Sequence, residues 1–133
     1  DTLAELGTGC IAFSPLAQGL LSNKYVNGVP ADARAAKAGS FNQRLITDDN
    51  IRRIKALNDI AASRGQTLAQ MAIAWVLRDP RVTSALVGAR TVEQLADTLK
   101  SLDNLAFTDQ ELADIDTYAT EGGIEPVAIE RQH

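Results

Sequence analysis

The chain has 133 residues, with 13 Lys and Arg against 17 Asp and Glu for a formal charge of −4, and 45% of it is hydrophobic. That length suits one domain with a core, the apolar runs fall short of a membrane span, and the acidic balance excludes a general nucleic-acid binder, which needs a basic stripe. A single cysteine and a single histidine, the latter at the last position, exclude an intrachain disulfide, a Cys-rich zinc site and an interior Ser-His-Asp or Cys-His apparatus.

The sequence starts at Asp1, and residues 1–6 read as the end of a helix stopped by Gly7 and Gly9. Such an opening, with no charged leader ahead of an apolar segment, is expected of a fragment without an export signal. Cys10-Ile11-Ala12-Phe13, an apolar run between Gly9 and Ser14-Pro15, predicts a buried strand. A lone cysteine there fits a reducing compartment, so a cytoplasmic location is the expectation. Pro15, Asn27-Gly28, Pro30 and Gly39-Ser40 mark residues 15–46 as a long loop, with one helical turn at Leu20–Tyr25.

Thr47 is a helix cap, with Asp48 and Asp49 in the first turn. Ile51, Ile54, Leu57 and Ile60 follow at helical spacing, and Gly65 ends that helix. Thr67 and Gln70 have capping-box spacing and open a second helix, in which Met71 and Trp75 fall on the apolar stripe and are read as core. Asp79-Pro80 breaks it. Val82–Val87 predicts a second strand, apolar enough to be covered on both faces. Gly88-Ala89-Arg90 turns into a third helix, with capping-box spacing at Thr91 and Gln94 and a core stripe of Val92, Leu95, Leu99 and Leu102. Thr108 and Glu111 open a fourth helix through about Tyr118, which is read as packing, and Gly122-Gly123 stops it. Strands alternating with helices predict a parallel α/β sheet, yet two buried-type strands are too few for an α/β domain, so the chain reads as a piece of a larger one.

Two stretches could carry chemistry. Gly88 lets the backbone approach a ligand, the following helix start offers free N–H groups and a positive dipole end, and Arg90 adds a fixed charge. Gln94, Asp97 and Thr98 share one face of that helix, roughly 120° from its apolar stripe. The same pattern also describes a solvated face with a capping box. Ser14-Pro15-Leu16-Ala17-Gln18-Gly19 leaves the first strand at its carboxyl end, where parallel sheets bind ligands; an ordinary strand-to-loop turn reads the same way. Lys24, Arg34, Lys37 and Arg44 make a basic patch in the loop, which either folds over an anion or is solvated.

Residues 11–25 (Ile-Ala-Phe-Ser-Pro-Leu-Ala-Gln-Gly-Leu-Leu-Ser-Asn-Lys-Tyr), 72–78 (Ala-Ile-Ala-Trp-Val-Leu-Arg) and 82–95 (Val-Thr-Ser-Ala-Leu-Val-Gly-Ala-Arg-Thr-Val-Glu-Gln-Leu) together resemble the C-terminal part of an aldo-keto reductase. The likeness runs to about Tyr118. It is greatest to the branch of bacterial glyceraldehyde-3-phosphate-type reductases and potassium-channel β-subunits. The resemblance implies an α/β fold, the C-terminal part of a (β/α)8 TIM barrel, with about its last two strands (Cys10–Ser14 and Val82–Val87) and their helices. Residues 1–133 would then form a partial aldo-keto reductase domain. It implies NADP(H) as cofactor, with Ser14, Pro15, Leu16, Ala17, Gln18 and Gly19 lining the nicotinamide and pyrophosphate and Lys24 and Arg34 reaching the phosphates. Gly88, Arg90 and Gln94 would hold the 2′-phosphate, and Asp97 and Thr98 the adenine. The family usually has Asn at the place of Thr98, commonly Glu at that of Asp97, and in many members Ser at that of Arg90.

The activity implied is reduction of a small carbonyl substrate, aldehyde or ketone, by hydride transfer. The family's catalytic Asp, Tyr, Lys and His come from N-terminal strands, and none maps onto this chain; the isolated piece is expected to be inactive. No metal, nucleic acid or membrane partner is expected, and oligomerisation stays open. Two other readings are a cofactor-sensing regulatory subunit of the channel β-subunit type and an inactive truncated fragment.

Overall fold

The computed structural model describes residues 2–22 and 47–119, of which Gln18 is placed by its backbone only. The expectations for Lys24, Tyr25, Arg34, Lys37 and Arg44, and for the stop at Gly122-Gly123, lie outside the described residues.

Helix α1 spans Thr2–Glu5. Gly7, at φ +64°, ends it with the paired bonds of a Schellman motif, Thr8 N–H to Leu3 O and Gly7 N–H to Ala4 O. Strand β1 is Cys10–Ala12, and Ala17–Gly19 forms a 3-10 turn. The helical turn expected at Leu20–Tyr25 runs into residues outside those described; the Ala17–Gly19 turn, which spacing does not signal, carries left-handed Ala17 and Gly19. Helix α2 is Asp48–Ser63, with the Thr47 hydroxyl accepting from Asn50 N. A second Schellman motif closes it at Gly65, φ +70°, through Gln66 N–H to Ala61 O and Gly65 N–H to Ala62 O. Helix α3 is Leu68–Leu77, entered by a complete capping box of Thr67 and Gln70. Strand β2 is Val82–Ala85 and helix α4 is Val92–Leu99. The expected continuation to Leu102 tightens instead into a 3-10 turn at Lys100–Asp103. Helix α5, Asp109–Tyr118, opens on a complete capping box of Thr108 and Glu111.

β1 and β2 pair in parallel, with Ile11 opposite Ser84 and Ala12 opposite Ala85. The register slips between Cys10 and Ile11, leaving Thr83 as the additional residue of β2. Its hydroxyl replaces the missing ladder acceptor by taking the Cys10 N–H at 3.1 Å. Gly9 makes room for this: a Cβ there would stand 2.7 Å from Thr83 Oγ1.

Among the described residues the buried cluster lies between helices. Ile54, Leu57 and Ala61 of α2, Leu68 and Met71 of α3 and Ile115 of α5 form one buried cluster, with Leu20, Leu21, Ile60, Trp75 and Phe107 packed on it. Met71 and Trp75 thus belong to the core, as their stripe predicts, although the Trp75 indole N–H is buried without a partner among the described residues. Apart from Gln70, α3 is apolar on all sides and touches α2, β2, α4 and the 3-10 turn after α4, as a buried helix must.

Two expectations are corrected. The sequence predicts both strands covered, yet Ile11 is 67% and Phe13 79% exposed, and Leu86 and Val87 are exposed as well. It also predicts a core stripe of Val92, Leu95, Leu99 and Leu102, yet all four are exposed. The reason is the same for both: among the described residues α4 packs chiefly on α3 and its own following turn, and the two strands pair only with each other. Tyr118 is also exposed rather than packed away.

Arg64 ties the helices together. Its guanidinium side chain is almost wholly buried, meets Glu111 Oε1 at 2.8 Å and donates to Gln66 Oε1, Ala106 O and Asn104 O. It also lies over the Phe107 ring, 3.6 Å from the centroid. The Thr108 backbone N–H, then the Thr108 hydroxyl and Arg64, hold the Glu111 carboxyl below its ordinary range. Removing the buried guanidinium leaves the half-exposed Glu111 carboxylate and the Asn104 and Ala106 carbonyls without their donor. Arg64→Ala is expected to cost about 3 kcal/mol in urea unfolding. Because the folded-state pKa of Glu111 is depressed, its contribution is complete above the unfolded pKa, about 4.3, and is lost as pH falls through the folded value. The urea midpoint should therefore fall on acidification, and more shallowly in Glu111→Gln.

Candidate functional site

Parallel pairing sends both strands out of the same end of the sheet. The last bond of the ladder, Leu86 N–H to Ala12 O at 2.9 Å, fixes the two exits side by side. The Ser14–Gly19 segment and the Gly88–Gln94 segment therefore start from adjacent points.

The first exit is a tightly wound turn. Ser14 has φ +54°, Ala17 +46° and Gly19 +93°. For Ser14 and Ala17 this left-handed region is costly, so the surrounding bonds must hold it. Those bonds are Ala17 N–H to Ser14 O, Gly19 N–H to Leu16 O, Leu20 N–H to Ala17 O and Leu21 N–H to Leu16 O. The Ser22 hydroxyl closes the turn on Gly19 O at 2.6 Å. Ser14 is exposed at the lip, whereas Pro15, Leu16 and Ala17 are half-buried. Pro15 and Leu21 roof an apolar cavity of about 230 Å³ whose floor is Leu68, Met71, Trp75 and Ile115. The turn is thus seated on the helical core, and its glycine answers an internal demand.

Gly88 at the second exit differs. Its φ is not left-handed, and a Cβ built on it meets nothing within 4 Å. Among the described residues nothing requires glycine there. The chain then turns through Arg90 to the cap of α4, where the Thr91 hydroxyl accepts from Gln94 N at 3.2 Å. The expected capping box is half formed: Gln94 Oε1 accepts from Arg90 N at 2.9 Å, one residue before the cap. Gln94 therefore shapes the Gly88–Arg90 turn. Glu93, in the first turn of α4, accepts from its own N–H and from the Thr91 hydroxyl, which holds its carboxyl below the ordinary range. It uses part of the donor capacity of this helix start.

Asp97 and Thr98, expected on an open polar face, are on the side of α4 that meets α3. Asp97 Oδ1 accepts from Gln70 Nε2 at 2.9 Å and Asp97 O from the same nitrogen at 3.1 Å. Thr98 is half-buried, and its carbonyl takes the buried Ser101 hydroxyl at 2.6 Å. From spacing alone Gln70 is only a helix cap; nothing in the local pattern signals the bond to Asp97, which lies 27 residues away. Among the described residues no group of three or more His, Cys, Asp or Glu could hold a metal ion, and no helix is long and apolar enough to cross a membrane.

The two glycines of the site respond differently to a methyl group. Gly19→Ala should cost about 1–2 kcal/mol, the penalty of a left-handed L-residue. Gly88→Ala should stay within about 0.5 kcal/mol of wild type, as a surface change with no clash. Paired urea titrations of the two variants check this.

Compared with known proteins, residues 1–119 match the sequence model described as Aldo/keto reductase family. The chain is 48% identical over 126 residues to the L-glyceraldehyde 3-phosphate reductase of Escherichia coli O157:H7, a match covering 92% of the chain and 36% of that protein. It is 39% identical over 111 residues to a probable voltage-gated potassium channel subunit beta of Oryza sativa subsp. japonica, covering 81% of the chain and 34% of that protein. A protein of the same description from Arabidopsis thaliana is 40% identical over 100 residues, which is 73% of the chain and 30% of that protein. The chain thus spans about a third of the length of these relatives.

Proposed function

The chain belongs to the aldo/keto reductase family, and from that membership we propose that it is the dinucleotide-holding, C-terminal part of an NADPH-dependent reductase of aldehydes and ketones. The observation that carries the reading is the placement of two unlike backbone exits at one end of a parallel pair, joined by the Leu86–Ala12 bond. One exit is held rigid by its own hydrogen bonds. The other keeps a glycine that nothing in the described protein requires. A ligand pressed against Gly88 supplies the missing reason.

The residues fit a phosphorylated dinucleotide. Arg90 brings a forked cation to a helix start, which suits a phosphate monoester. Gln94 Oε1 is already bound to Arg90 N, so its remaining contribution is its Nε2 donors. Glu93 opposes an anion at the same place, which makes Arg90 the counterweight. Ser14, with Pro15, Leu16, Ala17, Gln18 and Gly19, would line the nicotinamide and pyrophosphate. Lys24 and Arg34 would reach the phosphates, and Asp97 and Thr98 the adenine. The dinucleotide, when bound, supplies the hydride for the carbonyl carbon. This chain's residues bind and orient it; the carbonyl pocket and the proton donor would come from the part of the relatives' length that the chain does not span. Exposed Ile11, Phe13, Leu86 and the α4 stripe support that division, since further strands and helices of a (β/α)8 barrel would cover them.

The test is carbonyl-dependent oxidation of NADPH by the full-length protein; no oxidation with any aldehyde or ketone would defeat the enzymatic reading. The similarity to proteins named channel β-subunits supports a second role, a subunit that binds the same dinucleotide and signals its occupancy; NADPH binding without turnover would favour it. Arg90→Ala is expected to weaken the 2′-phosphorylated dinucleotide roughly tenfold and its unphosphorylated counterpart far less. Equal losses for both, measured by fluorescence titration, would remove Arg90 from the phosphate site. Gly88→Ala should weaken both dinucleotides while leaving the unfolding curve in place.

A further inference from the structure

Gln70 is 6% exposed, and both ends of its amide are committed. Oε1 accepts from Thr67 N at 3.0 Å, the return bond of the capping box that opens α3. That donor fixes which end of the amide is oxygen, so Nε2 points the other way. There it donates to Asp97 O at 3.1 Å and to Asp97 Oδ1 at 2.9 Å. The two bonds hold both the backbone and the carboxylate of one residue of α4. Asp97 itself is exposed, and its Oδ2 has no partner among the described residues. A carboxylate held by one oxygen from a buried amide, with the other oxygen open, is set to accept from an N–H donor outside the protein.

We propose that Gln70 is a positioning residue for base recognition: its buried amide fixes the rotamer of Asp97 so that the free carboxylate oxygen accepts from the exocyclic amine of the adenine ring. The inference rests on the dinucleotide reading above and adds a residue of a different helix, without ligand contact, to the selection of the base. The physical warrant is preorganisation. A free Asp side chain must give up rotamer freedom on binding, whereas one clamped by a satisfied amide has already done so. The same clamp ties α4 to α3, whose Thr67–Gln70 cap would be formed with or without Asp97; the surplus is the pair of N–H groups directed at one aspartate.

The test compares NADPH with the same dinucleotide carrying hypoxanthine, which presents a carbonyl in place of the amine, in the full-length protein. The wild type should favour adenine. Gln70→Glu keeps the acceptor for Thr67 N but turns a carboxylate toward Asp97. It should lower NADPH affinity roughly tenfold, leave the hypoxanthine dinucleotide nearly unchanged and bring their ratio toward one, with kcat unaltered because hydride transfer occurs at the other end of the cofactor. Combining Gln70→Glu with Asp97→Asn restores a donor between the two side chains and leaves the amide oxygen of the second substitution to accept from the amine; part of the base ratio should return. Equal weakening of both dinucleotides, or an unchanged ratio in Gln70→Glu, would overturn the assignment and leave Gln70 a helix cap. If the wild type binds neither dinucleotide, the reductase reading fails first and this one with it.

Discussion

The arrangement depends on one short parallel pairing. Antiparallel strands would send their exits to opposite ends; parallel strands must send them to the same end, and the Leu86–Ala12 bond sets the separation. With three residues in β1 and four in β2, the ladder has little strength of its own. It is supported from the side by α3, which packs against β2, and at its start by the Thr83 hydroxyl that takes the Cys10 N–H across the bulge. Gly9 is part of the same device, because a side chain there would collide with that hydroxyl. The position of both exits thus follows from a bulge, a glycine and a helix, each specified locally.

α3 is the second constraint. A helix apolar on every side but for one glutamine has no face for water, and here each face has a separate task. Leu68 and Met71 enter the helical cluster, Ile73 and Ala74 are buried as well, and Gln70 is the one polar side chain on the buried part of the helix. A buried amide with unsatisfied donors would cost about 1–3 kcal/mol. Gln70 avoids this through its own cap and through Asp97, so the energetics of burying an amide and the placing of a carboxylate on α4 are one interaction. Arg64 does the corresponding work on the opposite side, satisfying carbonyls of the connection to α5 and pairing with Glu111.

Local signals were legible in the sequence. The caps at Thr47, Thr67 and Thr108, the stops at Gly7 and Gly65 and both strands follow from spacing and residue type alone, because each is decided within about six residues. What was not legible is which faces are covered. Val92, Leu95, Leu99 and Leu102 make a regular apolar stripe, and periodicity says that such a stripe is buried without saying by what. In this chain α4 turns its mixed side, with Asp97 and Thr98, to α3, and leaves the stripe open. The half-formed box at Thr91 was hidden for a similar reason. Gln94 stands at capping-box spacing but bonds Arg90 N, a choice set by the turn at Gly88–Arg90 and not by the spacing. The Gln70–Asp97 contact spans two helices, and no local pattern records it.

The charge at the second exit shows why net charge is a poor guide to a ligand. The chain is acidic overall, at −4, and Glu93 adds a carboxylate to the very helix start where an anion would be received. Taken alone, both facts argue against an anionic ligand. Interactions between exposed charges are screened within about 8–10 Å at ordinary ionic strength, however, so groups beyond that range scarcely matter at this spot. Within it the competition is local, between Glu93, which already spends its charge on its own N–H and the Thr91 hydroxyl, and exposed Arg90, whose backbone N–H is pinned by Gln94. A carboxylate satisfied by the helix start repels less than a free one, because the dipole end partly neutralises it. The cation is then the less compensated of the two charges, and a turn that keeps glycine at 88 leaves the space beside it open.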